Sequence, residues 1–204
     1  MLRIETVKPG TLALLKSLMA MPELADFSLV GGTSLSLQLG HRISDDLDLF
    51  TAATKFRLEN LPAFVGHLGE IGEVRPGTGY FGMQLDGVKL DFVEYPYPLL
   101  EAPLVEDGIR LVGLKDIAAM KLNAVGRRAA KKDFVDIYFL LRHFSVHEML
   151  EFFGEKFGIE AGFHIKRSLV YFDEAEATNL PKILEKTSWE TIKKTIERHA
   201  RPLF

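Results

Sequence analysis

The chain contains no cysteine, which excludes disulfides, thiolate metal sites and cysteine nucleophiles together. No apolar run approaches the roughly 20 residues that a membrane-spanning helix needs, and the N-terminus carries no signal-peptide pattern. No membrane association is therefore expected, and a cytoplasmic location is the default. Neither Gly-x-x-x-x-Gly-Lys nor Gly-x-Gly-x-x-Gly occurs, so the P-loop and dinucleotide fingerprints are missing. A nucleophile elbow is missing too. His143 and His147 are spaced for one helix face, but no Glu completes a His-Glu-x-x-His zinc pattern.

What is present is an ordinary globular composition: 204 residues, 47% hydrophobic and 26% charged. That is enough chain for one large domain or two small ones. The formal charge of −3 is unevenly spread. Met1–Val112 holds 9 Lys and Arg against 15 Asp and Glu, a net of −6, whereas Gly113–Phe204 holds 16 against 13, a net of +3. Chance variation accounts for this as well as does an acidic metal-binding half beside a basic, phosphate-holding half. The whole-chain charge gives no support to strong nonspecific nucleic-acid binding.

Hydrophobic periodicity and turn residues predict a mixed first half and a helical second half, an α+β chain. Thr11 to Ala20 reads as a helix between Pro9-Gly10 and Pro22, and Phe27 to Val30 as a buried strand. Thr33 to Leu39 reads as a helix stopped by Gly40. Asp46 to Thr51 reads as a strand and Arg57 to Leu68 as a helix that Pro62 helps to begin. Gly79 to Leu85 and Val88 to Tyr95 flank Asp86-Gly87, a pair suited to a tight hairpin, and Leu104 to Val112 is a smaller hairpin around Asp107-Gly108. Helices are then expected at Leu114 to Val125, Lys131 to Phe144, Val146 to Phe157, Gly162 to Phe172 and Trp189 to Arg201. No internal repeat or low-complexity segment is visible.

The chemistry concentrates in Leu29-Val30-Gly31-Gly32-Thr33-Ser34 and in Ser44-Asp45-Asp46-Leu47-Asp48-Leu49-Phe50. On a strand, Asp46 and Asp48 point to one face while Leu47 and Leu49 point to the other. Carboxylates side by side repel unless a cation lies between them, and oxygen-only ligands suit Mg²⁺ together with substrate phosphates. Gly31-Gly32 offers a bare backbone turn, and Thr33 or Ser34 can cap a helix whose N–H groups favour an anion. Lys89-Leu90-Asp91-Phe92-Val93 places a third carboxylate in mid-strand, where Asp91 either joins the pair or faces water from an edge strand. Asp133 and Asp136 share a helix face at a helix start. They read as site acids or as structural acids with Arg127 and Arg128 as ion partners, the structural reading being weaker for Asp136, which lies deeper among Val135, Ile137 and Tyr138. Lys121 lies in an apolar helical stretch, either as a phosphate ligand or as a snorkelling lysine. Arg127-Arg128 and Lys131-Lys132 form a basic turn.

Gly31-Gly32-Thr33-Ser34, then Arg42-x-Ser44-x-Asp46-Leu47-Asp48-Leu49-Phe50, then the strand residue Asp91, resemble the polymerase-β-like nucleotidyltransferase superfamily. The match is closer to its AbiEii/AbiGii-type toxin branch. Lys121-Leu122-Asn123-Ala124, Arg127-Arg128 and Lys132-Asp133-Phe134-Val135-Asp136-Ile137-Tyr138 are similar to the second block of that branch. The resemblance runs from about Phe27 to Leu141. It implies a nucleotidyltransferase-like mixed β-sheet with flanking helices over residues 1–112, followed by a helical bundle over 113–204 that completes the cleft.

The resemblance also implies roles. Asp46 and Asp48 stand as the metal-binding pair and Asp91 as the third carboxylate, near the acceptor hydroxyl. Gly31, Gly32, Thr33 and Ser34 form the phosphate-gripping turn, supported by Arg42 and Ser44. Lys121 contacts nucleotide phosphates, and Asp133 and Asp136 are the paired helical acids. The implied reaction is transfer of a nucleotide from a nucleoside triphosphate to a hydroxyl of RNA, such as tRNA, or of protein, with release of pyrophosphate. Two Mg²⁺ ions serve it during turnover. The same resemblance implies the toxin of a toxin–antitoxin pair, with a separate antitoxin as partner. Two other readings compete: a catalytically idle binding module on the same fold, and a glycosyltransferase with an Asp-x-Asp metal site. The second is opposed by the short stretch of chain ahead of Asp46.

Overall fold

A computed structural model describes residues 1–52, 54–158 and 163–204 of the chain. It divides into two compact units. One comprises residues 1–40, 44–98 and 102–112, and the other residues 41–43, 99–101 and 113–204.

The first unit is built on a mixed seven-stranded sheet. In chain order its elements are α1 (Pro9–Ala20), β1 (Ser28–Leu29), α2 (Gly31–Leu39), β2 (Leu47–Thr51), α3 (Leu61–Val65), β3 (Ile71–Gly77), β4 (Tyr80–Leu85), β5 (Val88–Glu94), β6 (Leu104–Glu106) and β7 (Ile109–Leu111). The strands lie in the order β3-β4-β5-β2-β1-β7-β6. Pro9 opens α1, where its missing N–H forfeits nothing. Leu15, Leu18 and Met19 form the buried stripe of that helix. The helix expected from Thr33 begins two residues earlier, so Gly31 and Gly32 lie in its first turn, and it ends at Gly40 with φ +75° as the left-handed cap.

Strand alternation divides the sheet's two faces. Leu47, Leu49, Phe81, Met83, Leu90 and Phe92 point into one apolar core with Leu15, Leu18 and Leu61. Asp48, Phe50, Gly82, Gln84, Lys89 and Asp91 take the alternate positions and share the opposite face. Both Asp-Gly pairs form tight turns, with φ of 48° and 75° at Asp86-Gly87 and 53° and 75° at Asp107-Gly108. Two successive positive φ values match the hairpin turn those dipeptides favour.

The sequence reading departs from the structure at two places here. Arg57 to Leu68 is not one helix: only Leu61–Val65 is α-helical, between single 3₁₀ turns at Leu58–Asn60 and Gly66–Leu68. Pro62 limits the first turn, and Gly66 and Gly69 remove side-chain support from the last. Strand β3 is missed altogether, because Gly72, Glu73, Arg75 and Pro76 carry no strand signal. It is an edge strand with an irregular register between Ile71 and Val74, the setting in which proline is tolerated.

The second unit is helical: α4 (Leu114–Arg128), α5 (Lys131–Leu140), α6 (Val146–Phe157), α7 (Phe163–Ser168), α8 (Asp173–Glu176) and α9 (Trp189–Ala200). Ser145 and Glu148 form a reciprocal capping box at the start of α6, and Ser188 caps α9 through the Thr191 N–H. The helix expected to run to Phe144 ends at Leu140 and continues as hydrogen-bonded turns. The expected start at Gly162 lies outside the described residues. Phe134, Phe172 and Trp189 pack ring against ring. Asp116, fully buried, pairs with Lys156 at 2.6 Å and accepts the Leu100 and Glu101 N–H groups, which anchors residues 99–101. Residues 41–43 are held by Ile43 N–H to Lys182 and by Leu184 N–H to His41.

Arg110 on β7 ties the approach to β1. Its guanidinium donates to the carbonyls of Phe27 (2.8 Å), Met19 (2.9 Å) and Leu24 (2.9 Å). Arg110→Ala leaves three carbonyls without that donor and is expected to lower stability by about 2–3 kcal/mol in urea denaturation. Arg110→Lys should recover only a minority of the loss, because one ammonium cannot span three carbonyls fixed in a fork.

Candidate functional site

Sheet register places the carboxylates. Asp48 of β2 pairs with Asp91 of β5 across a parallel ladder, so both project from one face about 5 Å apart along the hydrogen-bonding direction. Asp91 in turn pairs with Gly82 of β4, and Gly82 with Arg75 of β3. One row thus runs Arg75–Gly82–Asp91–Asp48 across four strands. The missing side chain at Gly82 is what lets distant groups meet. A Cβ there would lie 2.3 Å from the Tyr80 hydroxyl oxygen and 2.9 Å from Asp91 Oδ1. Through that gap Tyr80 donates to Asp91 Oδ1 at 2.7 Å, and Arg75 Nη2 reaches the same oxygen at 3.3 Å. Lys89, two residues before Asp91 on the same face, pairs with Oδ2 at 2.8 Å.

The electrostatics follow from this crowding. Burial works against charge on Lys89, yet Asp91, with Asp48 and Asp46 adding to it, holds its pKa above the ordinary value. Burial and then Asp91 raise the Tyr80 phenol, which keeps it a neutral donor. Asp48 abuts the helix start: a Cβ on Gly31, whose φ is +68°, would lie 2.7 Å from Asp48 Oδ2. Only glycine leaves that space above the carboxylate. Thr33 hydrogen-bonds both the Asp46 carbonyl and the Ser44 hydroxyl, the latter at 2.9 Å. Ser34 is buried and faces the Val112 carbonyl. Gly31, Asp48 and Asp91 are therefore brought together within one unit, with Gly32 beside Gly31 and with Thr33 and Ser44 tied to the Asp46 backbone just ahead of β2, whereas the Ser34 hydroxyl faces the Val112 carbonyl.

They do not stand as a ready metal cage. Among the described residues no group of three His, Asp or Glu side chains is arranged to hold a metal ion. Asp91 has both oxygens engaged by Tyr80, Arg75 and Lys89. The donor set still fits a hard divalent cation: it is all oxygen and lies on adjacent strands. A pocket of about 690 Å³ opens at Asp46 and Lys89, walled by Thr11 and Leu14 of α1 and by the Asp86-Gly87 turn.

Lys121, Arg42 and Asp136 assemble in the other unit. Asp136 accepts from Arg42 Nε at 2.6 Å and Nη2 at 2.9 Å, from His41 Nε2 at 2.8 Å, and pairs with Lys121 Nζ at 2.6 Å. Lys121 also holds Asp133 at 2.9 Å, and Arg128 holds Asp133 at 3.1 Å. Lys121 is 5% exposed, and Asp133, Asp136 and His41 are wholly buried. The amine expected on phosphates is thus clamped between two carboxylates, and Arg42, expected beside the phosphate turn, grips Asp136. His41 is the member the sequence reading missed. It follows a helix-stopping glycine in no pattern, and only the fold brings it to a residue 95 positions away.

Burial would raise the Asp136 carboxyl, but Arg42 and Lys121, with the Arg42 and His41 hydrogen bonds, hold it well below its ordinary 3.8. Asp133 is lowered in the same way, burial being outweighed by Lys121 and Arg128. Lys121 is correspondingly raised, the two carboxylates overcoming its burial. Burial lowers His41 despite Asp136, and its Nδ1 has no partner among the described residues. The neutral ring then carries its proton on Nε2 and donates to Asp136.

The depressed carboxyls contribute stability that is fully present above their ordinary value of 3.8 and lost as pH falls through their folded values. Acid titration of the wild type should show this loss below pH 3.8, and Asp136→Asn should flatten it. Asp136→Asn should also cost about 3–5 kcal/mol at neutral pH, because Arg42 and Lys121 remain buried with one charge fewer to balance them.

The fold is that of nucleotidyltransferases. A Helicobacter pylori crystal structure assigned to the nucleotidyltransferases superposes with a TM-score of 0.62 at 20% identity, over 95% of this chain and 91% of that one. MenT4, a nucleotidyltransferase toxin of Mycobacterium tuberculosis H37Rv, superposes with a TM-score of 0.55 at 15% identity, over 96% and 82%. Residues 13–202 match the family model described as nucleotidyl transferase AbiEii toxin, Type IV TA system, and the chain belongs to that family. Uncharacterized protein aq_aa25 of Aquifex aeolicus (strain VF5) is 35% identical over 181 residues, covering 86% of this chain and 87% of that protein. No described helix is long and apolar enough to cross a membrane.

Proposed function

We propose that the chain transfers a nucleotide from a nucleoside triphosphate to a hydroxyl of RNA, tRNA among the candidates, or of a protein, and that it is the toxin of a pair whose antitoxin is a separate protein. The observation that carries this reading is the Asp48–Asp91 row set against the bare backbone of Gly31, in a chain of the AbiEii family. Asp46, Asp48 and Asp91 would hold Mg²⁺, two ions during turnover. When bound, Mg²⁺ supplies charge neutralisation of the phosphates and acidification of the acceptor hydroxyl.

The chain's own residues do the rest. The first turn of α2, at Gly31 and Gly32, presents backbone N–H groups to an anion, and the absence of a side chain at Gly31 lets a phosphate approach Asp48. Thr33 fixes Asp46 through its carbonyl, and Ser44 holds Thr33. Tyr80 and Arg75 orient Asp91. Lys121 and Asp136 support transfer through the Arg42–Asp136–Lys121–Asp133 network.

The test is to incubate the protein with Mg²⁺, each of the four labelled nucleoside triphosphates in turn, and total RNA or protein, and to follow label entering polymer. Asp48→Asn should lower transfer by about a thousandfold or more, the usual scale for losing a ligand or charge stabiliser of a transferring phosphoryl group. Its melting temperature should hold or rise, since one of two repelling carboxylates is gone. Transfer by Asp48→Asn at the wild-type rate would refute the reading.

A further inference from the structure

We propose that the Lys89 ammonium is a resident counter-ion of Asp91 on the carboxylate face of the sheet, and that a divalent cation reaches Asp91 by displacing it. The inference rests on the reading of this face as a divalent-cation site and adds a residue that governs access to it.

Both Asp91 oxygens are taken, so an incoming cation has to replace something. Oδ1 accepts the neutral Tyr80 hydroxyl at 2.7 Å and the longer Arg75 contact at 3.3 Å. Tyr80 brings no charge and can stay on an oxygen that also binds a cation, since a carboxylate oxygen has two lone pairs. Arg75 arrives from two strands away and is the weaker contact. Oδ2 accepts Lys89 alone among the contacts described here, at 2.8 Å.

Lys89 is also the group able to leave. It is a flexible chain, its side chain is 40% exposed, and it already forms part of the wall of the roughly 690 Å³ pocket beside Asp46. Withdrawal into that pocket strands no charge in an apolar interior. A divalent cation in its place carries twice the charge and no covalent tether, so it neutralises the facing carboxylates more fully. In the cation-free chain, Lys89 relieves the repulsion between Asp48 and Asp91 that their register imposes.

The test is Mn²⁺ binding by the full chain without nucleotide, read from the electron paramagnetic resonance signal of free Mn²⁺. Wild type is compared with Lys89→Met, Lys89→Gln and Lys8→Met. Lys8 lines the same pocket and is paired with Asp45 at 2.9 Å, so it controls for the loss of one nearby positive charge. Both Lys89 variants should bind Mn²⁺ about fivefold more tightly, the scale set by removing a half-exposed ion pair from the competition. Lys8→Met should change affinity less than twofold. Unchanged or weaker binding in the Lys89 variants would overturn the inference, as would equal tightening in Lys8→Met. No Mn²⁺ binding by any of the four proteins would overturn the cation-site reading and this inference with it, whereas equal binding by all four overturns the inference alone.

Discussion

Two aspartates on adjacent parallel strands, held in register by the ladder between β2 and β5, cannot move apart to relieve their repulsion. The backbone hydrogen bonds fix their spacing, and the apolar side chains between them are locked in the core. Leu47 and Leu49 beside Asp48, and Leu90 and Phe92 beside Asp91, are all essentially fully buried. A shift of one residue would send those four into solvent and the carboxylates into the core, so burial on one face enforces charge crowding on the other. The open face is organised around that constraint. Lys89 and Arg75 supply positive charge, Tyr80 a neutral donor, Gly82 the space they need, and Gly31 an uncovered approach to Asp48.

The helical unit answers the same problem by burial. Asp133 and Asp136 are removed from solvent and paired with Lys121, Arg42 and Arg128, with His41 as an added donor. Such a network contributes little net stability against an apolar core of equal volume, but removing one member is severe. Its geometry is highly specific: residues 41–43 are fixed to helix α5 through one carboxylate that accepts from three side chains. A second buried pair, Asp116 with Lys156, fixes residues 99–101 in the same way. Segments distant in sequence are thus recruited to the helical unit by single buried carboxylates.

The parts legible in the sequence are those whose cause is local. Period-two alternation at Asp46–Phe50 and Lys89–Val93 identifies two strands with acids on one face. The two Asp-Gly pairs identify hairpins, and Gly40 identifies a helix end. Strand β3 was not legible, because its Gly72, Glu73 and Pro76 follow from being an edge and not from strand propensity. The partners of Asp91 were illegible for another reason. Arg75 reaches it only because Gly82 lies between them, and that adjacency exists in the sheet alone. The reading of Asp133 as a structural acid paired with Arg128 is realised in the structure, whereas Lys121, read as a phosphate ligand or a snorkelling lysine, lies between Asp133 and Asp136. His41 and Arg42 carry no local signal for their partner, which lies on a helix more than ninety residues later.

The central proposal is that the carboxylate face of the sheet would gather divalent cations around a triphosphate at the first turn of α2. Anomalous diffraction from crystals grown with Mn²⁺ and a non-hydrolysable nucleoside triphosphate tests it most directly. The account predicts Mn²⁺ peaks at the Asp48–Asp91 face with the triphosphate beside them, phosphate oxygens against the Gly31 and Gly32 backbone, and the Lys89 amine withdrawn from Asp91. Mn²⁺ and triphosphate bound elsewhere, with Lys89 still on Asp91, would contradict it.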